Sequence, residues 1–259
     1  MTSPVNVVFA SNQVRWTTLG LFNTNEFPSQ FSSAVDACGV KLALTAFYAS
    51  LVIRQEQEDI DRFLTALSSS GLGFAGTLEG AIHPEYVAYY HSIELAGVFS
   101  STLYYVKAFL DTFSQVVSRL VEPSLPSQRF NKGKLGAEEI AGGKFINWLR
   151  GRSETKHPYA GPLAELFEAN SRQWITEAVK FRDQMTHHHL PSGITEMNTP
   201  LAKANPAYSR ESIRPAMRQS GDTLGQYCGD CQSRLQSMVG EVLNLLPKNR
   251  APVGPVDGT

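Results

Sequence analysis

The stretch VKAFLDTFSQVVSRL, residues 106–120, decides the fold class of this 259-residue chain. Its apolar residues recur at intervals of four, three, four and three, which is the period of an α-helix with one buried face. These residues are Val106, Leu110, Phe113, Val117 and Leu120. The predicted helix begins at His83, where Pro84 suits the first turn, and ends at Val121, shortly before Pro123. Because one wide face is apolar, we expect it to pack against other helices.

Similar patterns predict four further helices. Their approximate limits are residues 30–68, 136–149, 162–189 and 222–246. In the first of them, the acidic run of Glu56, Glu58, Asp59 and Asp61 is predicted to split the helix or to form a solvated turn. The expected fold class is therefore all-α, a bundle of about five helices over residues 30–246.

Three segments outside these helices carry weaker patterns. Residues 1–29 form an N-terminal extension, and residues 192–220 are rich in Pro, Ser and Asn and are predicted to be a long irregular excursion. Residues 247–259 are predicted to be a disordered tail.

Composition narrows the class of protein. The chain has 23 Lys and Arg against 24 Asp and Glu, so it is not a polycation that coats nucleic acid, and any RNA contact needs a local patch. Three cysteines are too few for a disulfide-stapled secreted protein. No signal peptide is recognisable, and the most apolar window, residues 40–53, is too short to span a bilayer. We expect a soluble cytoplasmic protein without membrane partners.

The candidate catalytic cluster is FRDQMTHHH, residues 181–189, at the end of a predicted helix. Arg182 is in line with apolar helix positions, where a charge costs free energy unless it has a partner or a purpose. Asp183 and His187 are four residues apart and can contact each other on the helix surface. A histidine can transfer a proton to or from a ribose hydroxyl, and an arginine can stabilise phosphoryl oxygens. These groups could cleave a phosphodiester without a metal ion.

The spacing of Arg182, Asp183 and His187 resembles the Arg-polar-x(3–5)-His signature of the HEPN superfamily, and the similarity extends over residues 83–246 at most. His188 also fits the pattern. The resemblance implies a HEPN-like helical bundle and a metal-independent endoribonuclease that acts as a homodimer. It also implies roles for Arg182 on the transition state, for His187 or His188 as acid or base, and for Asp183 in orienting the histidine. The resemblance further implies that the protein could be a toxin or defence effector with an antitoxin protein as its partner.

Another interpretation of the cluster remains open. It can be an ordinary solvated helix end, where histidines suit the helix dipole. The protein would then be a catalytically inactive helical module that binds RNA, a nucleotide or a partner protein. The nuclease hypothesis requires an accessible Arg182, and a guanidinium neutralised by a carboxylate under packed side chains would exclude it.

A basic stretch at residues 129–156 is the candidate RNA-binding surface. It holds seven Lys and Arg against three Glu, and its candidate contacts are Lys144, Arg150 and Arg152. Phe145 and Trp148 lie among them and could stack on bases. The alternative is an exposed loop with a core-facing Trp148.

Metal and cofactor sites are not expected. Consecutive histidines at 187–189 point about 100° apart on a helix and cannot all ligate one ion. Cys228 and Cys231 form a single CxxC in a predicted helix and are interpreted as core residues rather than ligands or a redox pair. No phosphate-binding loop, dinucleotide fingerprint, GxSxG or HExxH is present.

Overall fold

A computed structural model describes residues 29–70, 80–82, 86–89, 93–122, 125–153, 157–187, 197–200 and 222–246. Within these ranges the chain is predominantly helical and forms five helices, which confirms the all-α bundle. The helices are α1 (Ser29–Ser70), α2 (Ile93–Val121), α3 (Gly143–Ser153), α4 (160–187) and α5 (Leu224–Leu245).

Helix α4 is one rod with a change of pitch in its middle. It consists of Ala160–Asn170, a π-helical turn at Ser171–Ile175, and Thr176–His187. A π-turn inserts an extra residue into the helix and is often found at functional sites. Here it places Trp174 and Ile175 in buried positions.

Short antiparallel strands accompany the helices. Strands β1 (Gly80–Ile82), β2 (Tyr86–Tyr89) and β5 (Met197–Pro200) form one sheet in the order β1-β2-β5. Strands β3 (Gly133–Leu135) and β4 (Glu138–Ile140) form a hairpin in which Lys134 is opposite Glu139. Gly136 adopts φ +64° in the hairpin turn, a conformation that glycine tolerates best.

Two predicted helix limits are wrong, and one alternative for the acidic run is excluded. Helix α1 is not split at the acidic run, where Arg54 pairs with Glu58 at 3.4 Å and Arg62 pairs with Asp59 at 2.5 Å along the same helix. Helix α2 begins at Ile93 rather than His83, and the Tyr and Val residues of 86–89 form β2, as their strand propensity favours. Residues 138–140 form β4 rather than the start of a helix, and α3 begins only at Gly143.

The chain divides into two compact units, each with its own aromatic core. The first contains the described residues of Ala46–Leu103 and Phe181–Asp230, and the second contains those of Thr2–Thr45, Tyr104–Lys180 and Cys231–Thr259. In the first unit, the Tyr227 ring lies 6.3 Å from Phe99 and 5.7 Å from Phe181.

The core of the second unit is a cluster of phenylalanines. Phe167 lies at its centre, with ring centroids 6.2 Å from Phe113, 6.0 Å from Phe130 and 5.0 Å from Phe145. These four side chains are buried, and their contacts pack α2, α3, α4 and the segment before β3 against one another. The burial of each aromatic ring contributes about 2–3 kcal/mol to the free energy of unfolding.

Helix α1 also bears on the membrane question. The stretch Ser33–Arg62 contains an 18-residue window with a mean hydropathy of 1.5, and by length and composition it could cross a membrane. The apolar window therefore lies in a longer unbroken helix than residues 40–53 suggest. A core helix of a soluble protein passes the same test, and 39% of the apolar window is buried in the structure. The cytoplasmic location and the lack of membrane partners stay predictions.

Candidate functional site

The end of α4 is anchored by Phe181. Its side chain is buried and meets the Tyr227 ring of α5 edge-on at 5.7 Å. One and two turns earlier, Ala178 and Ile175 are also buried. Arg182 therefore follows a line of core positions, as the sequence predicts, yet 28% of its side chain remains exposed.

Arg182 and Asp183 form an ion pair. The Arg182 Nη2 atom lies 2.8 Å from Asp183 Oδ1, and 34% of the Asp183 side chain is exposed. The Arg182 side chain is thus partly exposed and paired with a carboxylate of its own chain, while its Nε atom is buried.

Of the three histidines in the predicted cluster, the structure describes only the backbone of His187. His187 is the last residue of α4. Its side chain, and all of His188 and His189, lie outside the described part of the chain. The choice between His187 and His188 therefore stays open.

Two of the three candidate RNA-binding cations are engaged with carboxylates in the second unit. Arg150 pairs with Glu168. Arg152 lies 3.2 Å from Glu122 and places its guanidinium carbon 5.5 Å from the centre of the Trp148 ring. An anionic ligand would have to compete with these contacts.

A third arginine extends the pairing around Arg150. Arg172 bonds Glu168 at 2.9 Å and also pairs with Glu138. Hydrogen bonds to Glu168 and then to Glu138 raise the pKa of Arg172 above its usual value. Arg150, Glu168, Arg172 and Glu138 are thus one connected network.

Lys144 differs from the two arginines. It is exposed, and within the described residues it makes no ion pair. The neighbouring aromatic Phe145 is fully buried and stacks on Trp148, with ring centroids 6.2 Å apart and planes 12° apart. Phe145 is therefore a core residue and cannot stack on a base.

Sequence reasoning missed the burial of Glu56, which it assigned to a solvated turn. Glu56 is 5% exposed, and its Oε1 accepts a hydrogen bond from the Leu224 N–H at 3.1 Å. It therefore supplies an acceptor at the first turn of α5 from a position 168 residues away.

The remaining bonds at this helix start are local. Thr223 Oγ1 accepts from Gln226 N at 3.1 Å, and Gln226 Oε1 accepts from Thr223 N at 2.8 Å, which is a capping box. The Thr-x-x-Gln spacing is readable in the sequence, whereas nothing local to Glu56 indicates its contact.

A groove of about 360 Å³ lies beside the π-turn in the second unit. Its lining includes Leu166, Asn170, Gln173 and Trp174 from α4, and Arg234 and Glu241 from α5. The Trp174 indole N–H donates to Asn170 Oδ1 at 2.9 Å, which fixes the ring in its wall. A groove of this volume with mixed apolar and polar lining is within the size range of small-ligand sites.

The three cysteines are all described, all buried and not in disulfides. Burial raises the pKa of the Cys38 thiol to about 12. Cys228 and Cys231 lie within α5, as predicted. Among the described residues, no group of three or more His, Cys, Asp or Glu side chains could hold a metal ion.

We expect the thiols to be unreactive in the folded protein. Because the thiolate is the reactive form and Cys38 stays protonated, a disulfide reagent at pH 8 should label no cysteine until denaturant is added. The unfolded thiol ionises near pH 9 and the folded one near 12, so this group should lower stability as pH rises across that interval. Rapid labelling of Cys228 or Cys231 in the native protein would contradict their assignment to the core.

Comparison of the chain with protein-family models, with curated proteins and with solved structures gives no match. The resemblance to the HEPN superfamily therefore stays a prediction.

Proposed function

We propose that the protein is a metal-independent endoribonuclease whose site lies at the end of α4. The observation that carries this proposal is the Arg182–Asp183 pair, 2.8 Å apart, on a line of otherwise buried positions with 28% of the Arg182 side chain still exposed. A partly exposed arginine is suited to bind a phosphate through its planar set of donors. The HEPN-like motif supplies the histidine next to it.

The chemistry assigns one task to each group. His187, or His188 in its place, removes the proton of the ribose 2′-hydroxyl or protonates the leaving 5′-oxygen. The 2′-oxygen attacks the neighbouring phosphorus, and the bond from phosphorus to the 5′-oxygen breaks. Arg182 hydrogen-bonds the non-bridging oxygens, whose negative charge it stabilises in the transition state. Asp183 positions Arg182 through the observed ion pair.

Dimerisation belongs to the proposal. One copy of the motif supplies one arginine and one working histidine. The attack of the 2′-oxygen needs a proton acceptor, and the departure of the 5′-oxygen needs a proton donor. A homodimer that brings two motifs together provides both. A role as toxin, with an antitoxin protein that blocks the site, is a further element of the proposal and comes from the resemblance.

Replacing Arg182 with alanine should reduce RNA cleavage in EDTA by about 100-fold, because one donor to a developing oxyanion contributes about this much. Single-turnover assays on labelled RNA measure the effect, with the same sequence in DNA as an uncleavable substrate. Lys180→Ala, at an exposed position two residues earlier, is the matched control and should cleave at the wild-type rate.

The histidines are assigned by the same assay. Loss of cleavage in H187A with retention in H188A, or the reverse, identifies the proton-transfer residue. Equal product from wild type and R182A, or no cleavage of a panel of cellular RNAs by wild type, would reject the nuclease.

The groove beside Trp174 favours a second candidate, the catalytically inactive binding module. It offers a wall of Leu166 and Trp174 with amide groups from Asn170 and Gln173, an arrangement suited to recognition rather than to bond cleavage. RNA that is retained by the protein but never cut would favour this function over the first.

A further inference from the structure

Four exposed cations lie on or next to the β3–β4 hairpin of the second unit. Arg129, Lys132, Lys134 and Lys144 are all exposed. Within the described residues, Arg129, Lys134 and Lys144 make no ion pair, in contrast to Arg150 and Arg152. We refer to these four residues as the hairpin cluster.

The hairpin cluster is held together by close backbone contacts. A Cβ atom added to Gly133 would lie 2.8 Å from Lys144 Cγ and 2.5 Å from Lys144 N, so the Lys144 side chain runs against the strand between Lys132 and Lys134. The Lys144 N–H donates to the Asn131 carbonyl at 3.4 Å. Asn147 Nδ2 donates to the Lys134 carbonyl at 2.8 Å. The backbone that carries the lysines is therefore fixed before any ligand binds.

Little negative charge opposes the hairpin cluster. Glu138 on β4 is committed to Arg172, and Glu139 is the cross-strand neighbour of Lys134 without forming an ion pair to it. Neighbouring cations repel one another, and a polyanion relieves that repulsion.

We infer that the hairpin cluster binds the phosphate backbone of RNA, and that Arg150 and Arg152 do not. This inference rests on the proposed action on RNA and names the surface that holds the substrate. Phe145 is buried and Arg152 lies over the Trp148 ring, so these two aromatics are not available to stack on bases. Binding is therefore electrostatic, independent of base sequence and steeply dependent on salt.

The test uses 2′-O-methyl RNA, which cannot be cleaved by 2′-oxygen attack, so that binding is measured apart from catalysis. Fluorescence anisotropy with the full chain is recorded between about 50 and about 200 mM salt. The double variant K134Q/K144Q removes two predicted phosphate contacts. It should weaken binding about tenfold and reduce the slope of log affinity against log salt by about 1.4, since each contact to a single strand contributes about 0.7.

Two matched variants define the controls. K134R/K144R keeps the charge and should bind like wild type. R54Q/K180Q removes the same charge at exposed positions of α1 and α4 and should leave binding unchanged. Circular dichroism verifies that each variant keeps its helix content.

Several results would overturn the inference. They are equal affinities of K134Q/K144Q and R54Q/K180Q, no binding of the RNA by wild type at low salt, and binding to phosphatidylserine vesicles in place of RNA. The proposed nuclease can fail separately. If RNA is bound through the hairpin cluster but unmodified RNA is never cut, the surface stands and the catalytic assignment falls.

Discussion

Replacement of Glu56 with alanine is expected to lower the free energy of unfolding by about 3 kcal/mol. The variant leaves the Leu224 N–H at the start of α5 without its carboxylate acceptor, which costs about 1–3 kcal/mol in a buried setting. It also removes a negative charge from a helix N-terminus, where such a charge contributes up to about 1 kcal/mol. Urea denaturation followed by circular dichroism measures the change.

Glu58 provides the matched control two residues further along α1. Its side chain is 54% exposed and pairs with Arg54 at 3.4 Å in a surface ion pair. Glu58→Ala should therefore change stability by less than about 1 kcal/mol. Glu56→Gln keeps an acceptor oxygen and should fall between the two. If E56A and E58A are equally stable, the buried carboxylate does not stabilise α5.

Gly142→Ala is expected to destabilise the protein by about 3 kcal/mol, for two separable reasons. Gly142 has φ +76°, which costs an L-residue about 1–2 kcal/mol. Its new methyl group would also lie 2.2 Å from the Phe130 ring. That ring is buried against Phe145 and Phe167 and cannot move aside without disturbing the core.

Gly136→Ala separates the two causes. Gly136 has a similar φ of +64°, but an added Cβ at this position meets no atom within 4 Å. It should cost about 1 kcal/mol, the backbone contribution alone. Thermal unfolding of the two variants gives the comparison. Equal melting temperatures for G136A and G142A would show that the Phe130 contact is unimportant.

The sequence alone predicts which residues of the candidate site lie near one another, because they are neighbours along one helix. Arg182 and Asp183 are adjacent, and the apolar period through Ile175 and Ala178 correctly placed Arg182 beside the core. Lys107 and Asp111 show the same local relation, since their four-residue spacing brings Lys107 Nζ to 2.5 Å from Asp111 Oδ1.

The pairing of the cations in the basic stretch, residues 129–156, could not be predicted from neighbouring residues. Counting charges along residues 129–156 identified seven cations but could not tell which of them are neutralised. Glu168, the partner of Arg150, belongs to α4, and Glu122, the partner of Arg152, follows α2. Only the packing of these segments distinguishes paired arginines from the exposed lysines of the hairpin cluster.

The helical class of the protein and the buried face of its helices are encoded locally, since side chains three or four residues apart meet on every α-helix. The capping box of Thr223 and Gln226 is encoded in the same way. Whether the acidic run of α1 is solvated is not encoded locally. Glu56 is buried because α5 presents an N–H group to it across 168 residues of chain, and only the tertiary arrangement brings that donor and that acceptor together.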